Sequence, residues 1–321
     1  MIVAIIVALG GVSLFIFGLQ LISSSSQMII SGRSKILVQK MVKTNLGGFV
    51  TGLVVAGVTQ SSAVVSVLAV EFVDKGIISI CSSFAVIMGA NVGTTVTAQI
   101  VSLSGLGGEA IGAVASIIGL LIGFLKNDKA KTLSKSLLGM GVLFAGLSLI
   151  KGSISMACES KMFQNLFLID SPFILFLNGV TLTAIAQSSS AITGVMVLLA
   201  NANLLTFENA VYLTLGSNVG SCFIVVLISL NKSHSARKSA EFNLLFNALG
   251  SIVFFAVFYL FGISVTKLFL KGNAGRAIAN FHTVFNLTCS VVFLPFTKSF
   301  EKLLNKKFKS PLKVFKIKLF H

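Results

Sequence analysis

Two short runs hold most of the polar chemistry of this chain, Thr59-Gln60-Ser61-Ser62 and Gln187-Ser188-Ser189-Ser190. An asparagine set between glycines stands 31 residues after each glutamine: Gly89-Ala-Asn91-Val-Gly93, followed by Thr94 and Thr95, and Gly216-Ser-Asn218-Val-Gly220, followed by Ser221 and Cys222. These groups are uncharged. Hydroxyls and amide N–H groups can hold an anion, whereas carbonyl and hydroxyl oxygens suit a hard cation such as sodium. No GxSxG and no paired Asp or His base accompanies the serines, so the pattern argues against an enzyme. A single Gln-Ser-Ser in an apolar segment is ordinarily small-residue helix packing. Its repetition, each time with an asparagine partner at the same distance, points instead to function.

The elements that must position these groups lie in a bilayer. Of 321 residues, 55% are hydrophobic and 11% charged, with a mean hydropathy of +0.97. A soluble domain carries about a quarter charged residues. Apolar stretches near the ~20 residues that cross a hydrocarbon core recur throughout, which predicts one polytopic membrane domain. The net charge of +16 does not signal nucleic acid. Lys and Arg crowd short loops and the tail from Lys298 to Lys318, as the positive-inside rule requires, and stacking aromatics are missing. The apolar start, Ile2 to Ile22, lacks a basic leader and a small-residue cleavage site, so it reads as a retained span. Cys81, Cys158, Cys222 and Cys289 form no CxxC and suggest neither a disulfide framework nor a metal centre.

The chain repeats itself. Gly57 to Ser62 matches Ala184 to Ser189, and Gly89 to Gly93 matches Gly216 to Gly220, both at an offset of 127 residues. Gly11 to Ile22 matches Gly139 to Ile150 at an offset of 128. The fold class expected is therefore an all-α integral membrane protein of two inverted-topology repeats, each with a re-entrant helical hairpin and a broken transmembrane helix. The first repeat is expected at 1–126 (hairpin about 47–71, broken helix about 78–101) and a cytoplasmic linker at 127–135. The second follows at 136–263 (hairpin about 173–200, broken helix about 207–230), with a final transmembrane helix at 264–297 and a basic cytoplasmic tail at 298–321.

If the hairpins do not cross, each repeat crosses three times, and an odd number inverts the copies. With the N-terminus outside and the C-terminus cytoplasmic, only Lys151, Lys161, Lys267, Lys271 and Arg276 then lie outside. At about 1.5 Å per residue, an arm of 10–12 residues reaches the middle of a ~30 Å core. Both Gln-Ser-Ser runs and both asparagines therefore reach similar depth. Polar groups there need partners, and the glycines at 89, 93, 216 and 220 permit unwinding or close backbone approach. Broken helices meeting at the midplane of inverted repeats describe a secondary transporter's binding site. None of the nine acidic residues sits in these clusters, which favours sodium over proton coupling.

Carried by Thr59-Gln-Ser-Ser62, Ala186-Gln-Ser-Ser-Ser190, Gly89 to Ala98, Leu215 to Gly220, Leu245-Phe-Asn247 and Ile278 to Asn286, the chain resembles the type II sodium/phosphate cotransporter family over nearly its whole length. The resemblance implies a secondary active transporter that couples sodium to inorganic phosphate by alternating access in the cell membrane. It implies phosphate-binding by Ser61, Ser62, Ser188, Ser189, Asn91 and Asn218. It implies sodium-binding by Gln60, Thr59, Gln187, Ser190, Thr94, Thr95 and Ser221. Sodium ions are the coupling ions; no other cofactor is expected. Partners are phosphate, sodium and the lipid bilayer, and assembly into a homo-oligomer is left open. The alternatives are sodium-coupled transport of another oxyanion, or an ion channel. Three positions depart from the family pattern: Ala63 stands where the second run has Ser190, Cys222 where the first unit has Thr95, and Asn243 where a histidine precedes Leu-Phe-Asn.

Overall fold

Every regular element among the described residues is helical in the computed structural model, which describes residues 2–31, 39–103, 108–125, 127–157, 171–270 and 272–305. Helix α1 (Ile2–Ser31) is followed by two short helices, α2 (Asn45–Thr59) and α3 (Ser62–Asp74), separated only by Gln60 and Ser61. Next come α4 (Ile80–Gly93), α5 (Thr95–Ser102) and α6 (Gly108–Gly123). The second half repeats the order with α7 (Asp128–Ala157), α8 (Pro172–Ala186), α9 (Ser189–Asn201), α10 (Phe207–Gly220), α11 (Phe223–Ser229) and α12 (His234–Phe269). Finally, α13 (Ala274–Phe293) leads through a 3-10 turn into α14 (Thr297–Asn305).

Among the described residues, five segments are long and apolar enough to cross a membrane: Ile80–Ser102, Ala130–Ser153, Phe207–Ser229, His234–Phe269 and Ala274–Asn305. By contrast, α2 and α8 have 15 residues each and α3 and α9 have 13 each, well short of the ~20 that a bilayer demands. Leu120, Leu121, Ile117 and Val114 on α6, and Ile252, Val253, Leu260 and Ile263 on α12, are exposed. Apolar side chains facing outward in such rows belong against lipid.

Three expected boundaries move. Residues 128–135, read as a linker, form the first turns of α7, where Asp128 sits at the positive end of the helix. Residues 264–269, read as part of the last span, complete α12 instead; α13 starts at Ala274 because Asn273 caps it, its side chain accepting from the Arg276 N–H at 2.9 Å. Of the tail, 298–305 lie in α14 and the rest falls outside the described residues, as does Cys158.

There are two kinds of close helix crossing, one between the halves and one within each. Helices α1 and α7 cross at glycines: a Cβ on Gly11 would lie 2.9 Å from the Gly146 carbonyl, and one on Gly18 would lie 2.7 Å from the Gly139 carbonyl. The earlier glycine of α1 thus meets the later one of α7, and conversely, so the helices run antiparallel. Within each half the helix that ends at the glutamine lies on the asparagine helix, α2 on α4 and α8 on α10. A Cβ on Gly89 would come 1.9 Å from the Phe49 carbonyl, and one on Gly216 would come 2.0 Å from that of Phe176. Only glycine allows that approach.

Charge ties the end of α3 to the start of α12. At the end of α3 the Asp74 carboxylate accepts from the Ser233 N–H at 2.8 Å, and Lys232 lies 2.6 Å from Glu71. The Ser233 N–H, then its hydroxyl, hold the Asp74 carboxyl below its ordinary value. A lowered folded value means that this contribution is present above the unfolded pKa and is lost as the pH falls through the folded one. Asp74→Ala is therefore expected to lower the melting temperature at neutral pH, with the gap to wild type closing in acid. A gap constant down to the lowest pH would show that the charge is not involved.

Candidate functional site

The chain breaks its helices in the same way twice. Gln60 ends α2 in the left-handed region (φ 54°, ψ 29°), and Gln187 ends α8 there too (φ 54°, ψ 21°). Extended serines follow, Ser61 (φ −145°, ψ 104°) and Ser188 (φ −146°, ψ 100°). Each caps the next helix: the Ser61 hydroxyl accepts from the Val64 N–H and the Ser188 hydroxyl from the Ala191 N–H, both at 3.2 Å. A non-glycine residue held left-handed costs on the order of 1–3 kcal/mol and concentrates at functional sites. Two glutamines sharing that strain at equivalent positions are hard to assign to packing. At each break one helix presents carbonyls and the next presents N–H groups.

The two breaks touch. Ser190, in the first turn of α9, donates its hydroxyl to the Gln60 carbonyl at 3.1 Å. The position equivalent to Ser190 is Ala63, so the reciprocal bond to the Gln187 carbonyl has no hydroxyl to make it. Around the first break, the Ser62 N–H donates to the Thr94 hydroxyl at 2.9 Å, and the Thr97 hydroxyl donates to Gln60 Oε1 at 3.2 Å. Thr97 is a contact that residue types alone did not single out; its equivalent is Ile224, which carries no oxygen. The halves also differ where Thr183 donates to Ser217 at 2.7 Å, because Ala56 and Ala90 stand at the matching places.

The structure brings Gln60, Ser62, Thr94 and Ser190 into one bonded cluster, with Ser61, Ser188 and Ser189 adjoining it along the chain. Thr59 and Thr95 are buried, and their hydroxyls bond back to Val55 and Val92. Ser221 bonds to the Asn218 carbonyl. The Asn91 and Asn218 amides donate to the Ile87 and Thr214 carbonyls of their own helices, at 3.0 and 2.9 Å. Gln187 is exposed.

Of the two expectations for the glycines of the asparagine segments, unwinding or close backbone approach, the second holds. Thr94 and Ser221 stay in the right-handed helical region (φ −63° at both), and their N–H groups still reach Ala90 and Ser217. The helices are dislocated by a residue or two there rather than opened. The flanking glycines serve close packing of α2 on α4 and of α8 on α10.

Ser190→Ala removes the bond between the breaks and is expected to cost about 1 kcal/mol, whereas Ala63→Ser supplies its counterpart and should stabilise by a similar amount. Melting temperatures that move in the same direction for both variants would contradict the pairing.

Apolar helices of spanning length around a buried, uncharged polar centre define a polytopic helical membrane protein. The chain belongs to the Na+/Pi-cotransporter family, whose model matches it twice, over residues 14–152 and 154–287. It is 28% identical over 264 residues to the uncharacterized protein YqeW of Bacillus subtilis, covering 81% of this chain and 84% of that one. It is 26% identical over 294 residues to the putative inorganic phosphate export protein YjbB of Escherichia coli, covering 90% of this chain and 53% of that one. A shorter match, 33% over 99 residues, joins 30% of this chain to 15% of the rat sodium-dependent phosphate transport protein 2A. The chain thus spans about half the length of the E. coli relative. No solved structure matches it.

Proposed function

We propose that this protein carries inorganic phosphate across the cell membrane, driven by sodium, by alternating access between two halves of inverted topology. The observation that carries the reading is the contact between the two equivalent helix breaks, Ser190 on Gln60. Phosphate sits where the N-termini of α3 and α9 converge, held by the Ser61, Ser62, Ser188 and Ser189 hydroxyls and freed N–H groups. Helix N-termini favour an anion. The carbonyl ends of α2 and α8, with Gln60, Thr59, Gln187, Ser190, Thr94, Thr95 and Ser221, supply oxygens for sodium. The cation offsets the phosphate charge, so each ion strengthens the binding of the other by the same factor.

Inversion is supported by the antiparallel glycine crossing of α1 and α7, and re-entry by the short arms on either side of Gln60 and Gln187. The N-terminus lies outside and the C-terminus in the cytoplasm, as the distribution of lysine and arginine favours. Rocking of one half against the other exposes the site alternately. The names of the E. coli and rat relatives agree with phosphate as the cargo.

The test is uptake of labelled phosphate into liposomes holding the purified protein, under an imposed sodium gradient. Uptake that saturates, stops when potassium replaces sodium and resists excess sulfate is the expected result. Sulfate competition at equal concentration would mean another oxyanion, and non-saturating conductance would mean a channel.

A further inference from the structure

A nine-residue pattern recurs outside the Gln-Ser-Ser and asparagine–glycine segments. Asn243-Leu-Leu-Phe246-Asn247-Ala-Leu-Gly-Ser251 on α12 matches His282-Thr-Val-Phe285-Asn286-Leu-Thr-Cys-Ser290 on α13. The structure uses the two alike. Ser251 donates to the Leu215 carbonyl on α10 at 2.9 Å, and Ser290 donates to the Met88 carbonyl on α4 at 3.2 Å. Leu215 and Met88 are themselves separated by the repeat offset of 127. Cys222 Sγ reaches the Asn243 carbonyl at 3.5 Å, and Gln99 donates to Thr283 at 2.9 Å. These contacts fix the register. Asn247 lies between Asn243 and Ser251 on one face of α12, opposite residues 215–222. Asn286 lies between Thr283 and Ser290 on α13, opposite residues 88–99. Each faces the corner of one asparagine–glycine segment.

Both asparagines are 1% exposed. Both donate Nδ2 to the carbonyl four residues back, Asn247 to Asn243 and Asn286 to His282, each at 2.9 Å. Because the donor end must face a carbonyl, the orientation of each amide is fixed. That leaves Asn247 Oδ1 and Asn286 Oδ1 buried with no hydrogen-bond partner among the described residues. A buried carbonyl oxygen left bare costs about 1–3 kcal/mol. Two bare oxygens at equivalent places, with the hydroxyl and carbonyl oxygens of Ser221 and Asn218 at one corner and of Thr94 and Thr95 at the other, are neutral oxygen sets of the kind a hard cation takes.

We propose that Asn247 and Asn286 are paired sodium ligands, one in each half, completing a cation site at each asparagine–glycine corner. This rests on the reading that sodium is the coupling ion. Helix α12 thereby belongs functionally to the second half, and α13, although last in the chain, to the first.

The experiment measures the melting temperature of the detergent-purified protein against sodium concentration, with choline holding ionic strength and no phosphate present. Wild type is expected to be stabilised saturably. Asn247→Leu and Asn286→Leu should each raise the half-saturating sodium concentration about tenfold or more. Asn247→Asp and Asn286→Asp keep the oxygen and add charge, so they should lower it, which gives a readout should the leucine variants not fold. Half-saturation unchanged in all four variants would overturn the proposal. So would a wild type indifferent to sodium, which would assign the oxygens to buried water. Because phosphate is absent, a normal sodium response with no phosphate uptake would sink the transport reading alone. Sodium-driven uptake with unshifted variants would sink this inference alone.

Discussion

Gly89→Ala and Gly216→Ala are each expected to abolish or nearly abolish recovery of folded protein. A methyl at Gly89 would lie 1.9 Å from the Phe49 carbonyl oxygen, and one at Gly216 would lie 2.0 Å from that of Phe176. The obstacle in both cases is backbone, so no rotamer change relieves it. The arm carrying Gln60 or Gln187 must move away bodily, which carries the helix break with it. Overpacking of this kind costs about 3 kcal/mol or more, a large part of the stability of a domain. Gly10→Ala and Gly152→Ala are the controls, since a Cβ at either meets nothing within 4 Å. Those variants should purify like wild type, because alanine is the better helix former. Equal yield and melting temperature for Gly216→Ala and Gly10→Ala would mean that α8 is not pressed on α10.

The second large effect is on transport rather than folding. Ser61 and Ser188 each cap a helix and each offer a hydroxyl to the proposed phosphate. Ser→Ala at an N-cap costs about 1 kcal/mol of stability. The loss of phosphate uptake should be far larger, about tenfold to a hundredfold for either single variant, because a buried polar site left short of a partner discriminates strongly. Ser188→Asp separates the two roles. Aspartate caps helices as well as serine does, but it places negative charge where an anion must bind. It should melt like wild type and carry no phosphate. Uptake by Ser188→Asp at the wild-type rate would remove Ser188 from the site.

Much of this was legible in the residues because two signals are local. A polar run inside an apolar stretch marks a place where the helix can break, and the duplication marks that run twice; the left-handed glutamines and the capping serines became visible only in the structure. Apolar content and the length of each stretch give the spanning helices in the same way. What could not be read depends on contacts between distant segments. Gly89 and Gly216 are compatible with unwinding or with close packing, and only the position of α2 on α4 and of α8 on α10 decides for packing. The capping of α13 by Asn273 likewise moves a boundary that hydropathy blurs. Ala63 was visible as a missing hydroxyl, but its consequence, one bond between the breaks instead of two, needed the geometry of Ser190 on Gln60. The bare oxygens of Asn247 and Asn286 are invisible in a sequence, since an asparagine there is equally a helix-packing residue until its partners are counted.

If the two equivalent helix breaks build a single phosphate site, as proposed, the binding stoichiometry is one. Equilibrium binding of labelled phosphate to the purified protein in saturating sodium measures this most directly. One phosphate per chain is expected, with binding lost in choline and weakened by Ser61→Ala and Ser188→Ala alike. Two independent phosphates per chain, or binding that depends on only one of these serines, would contradict it.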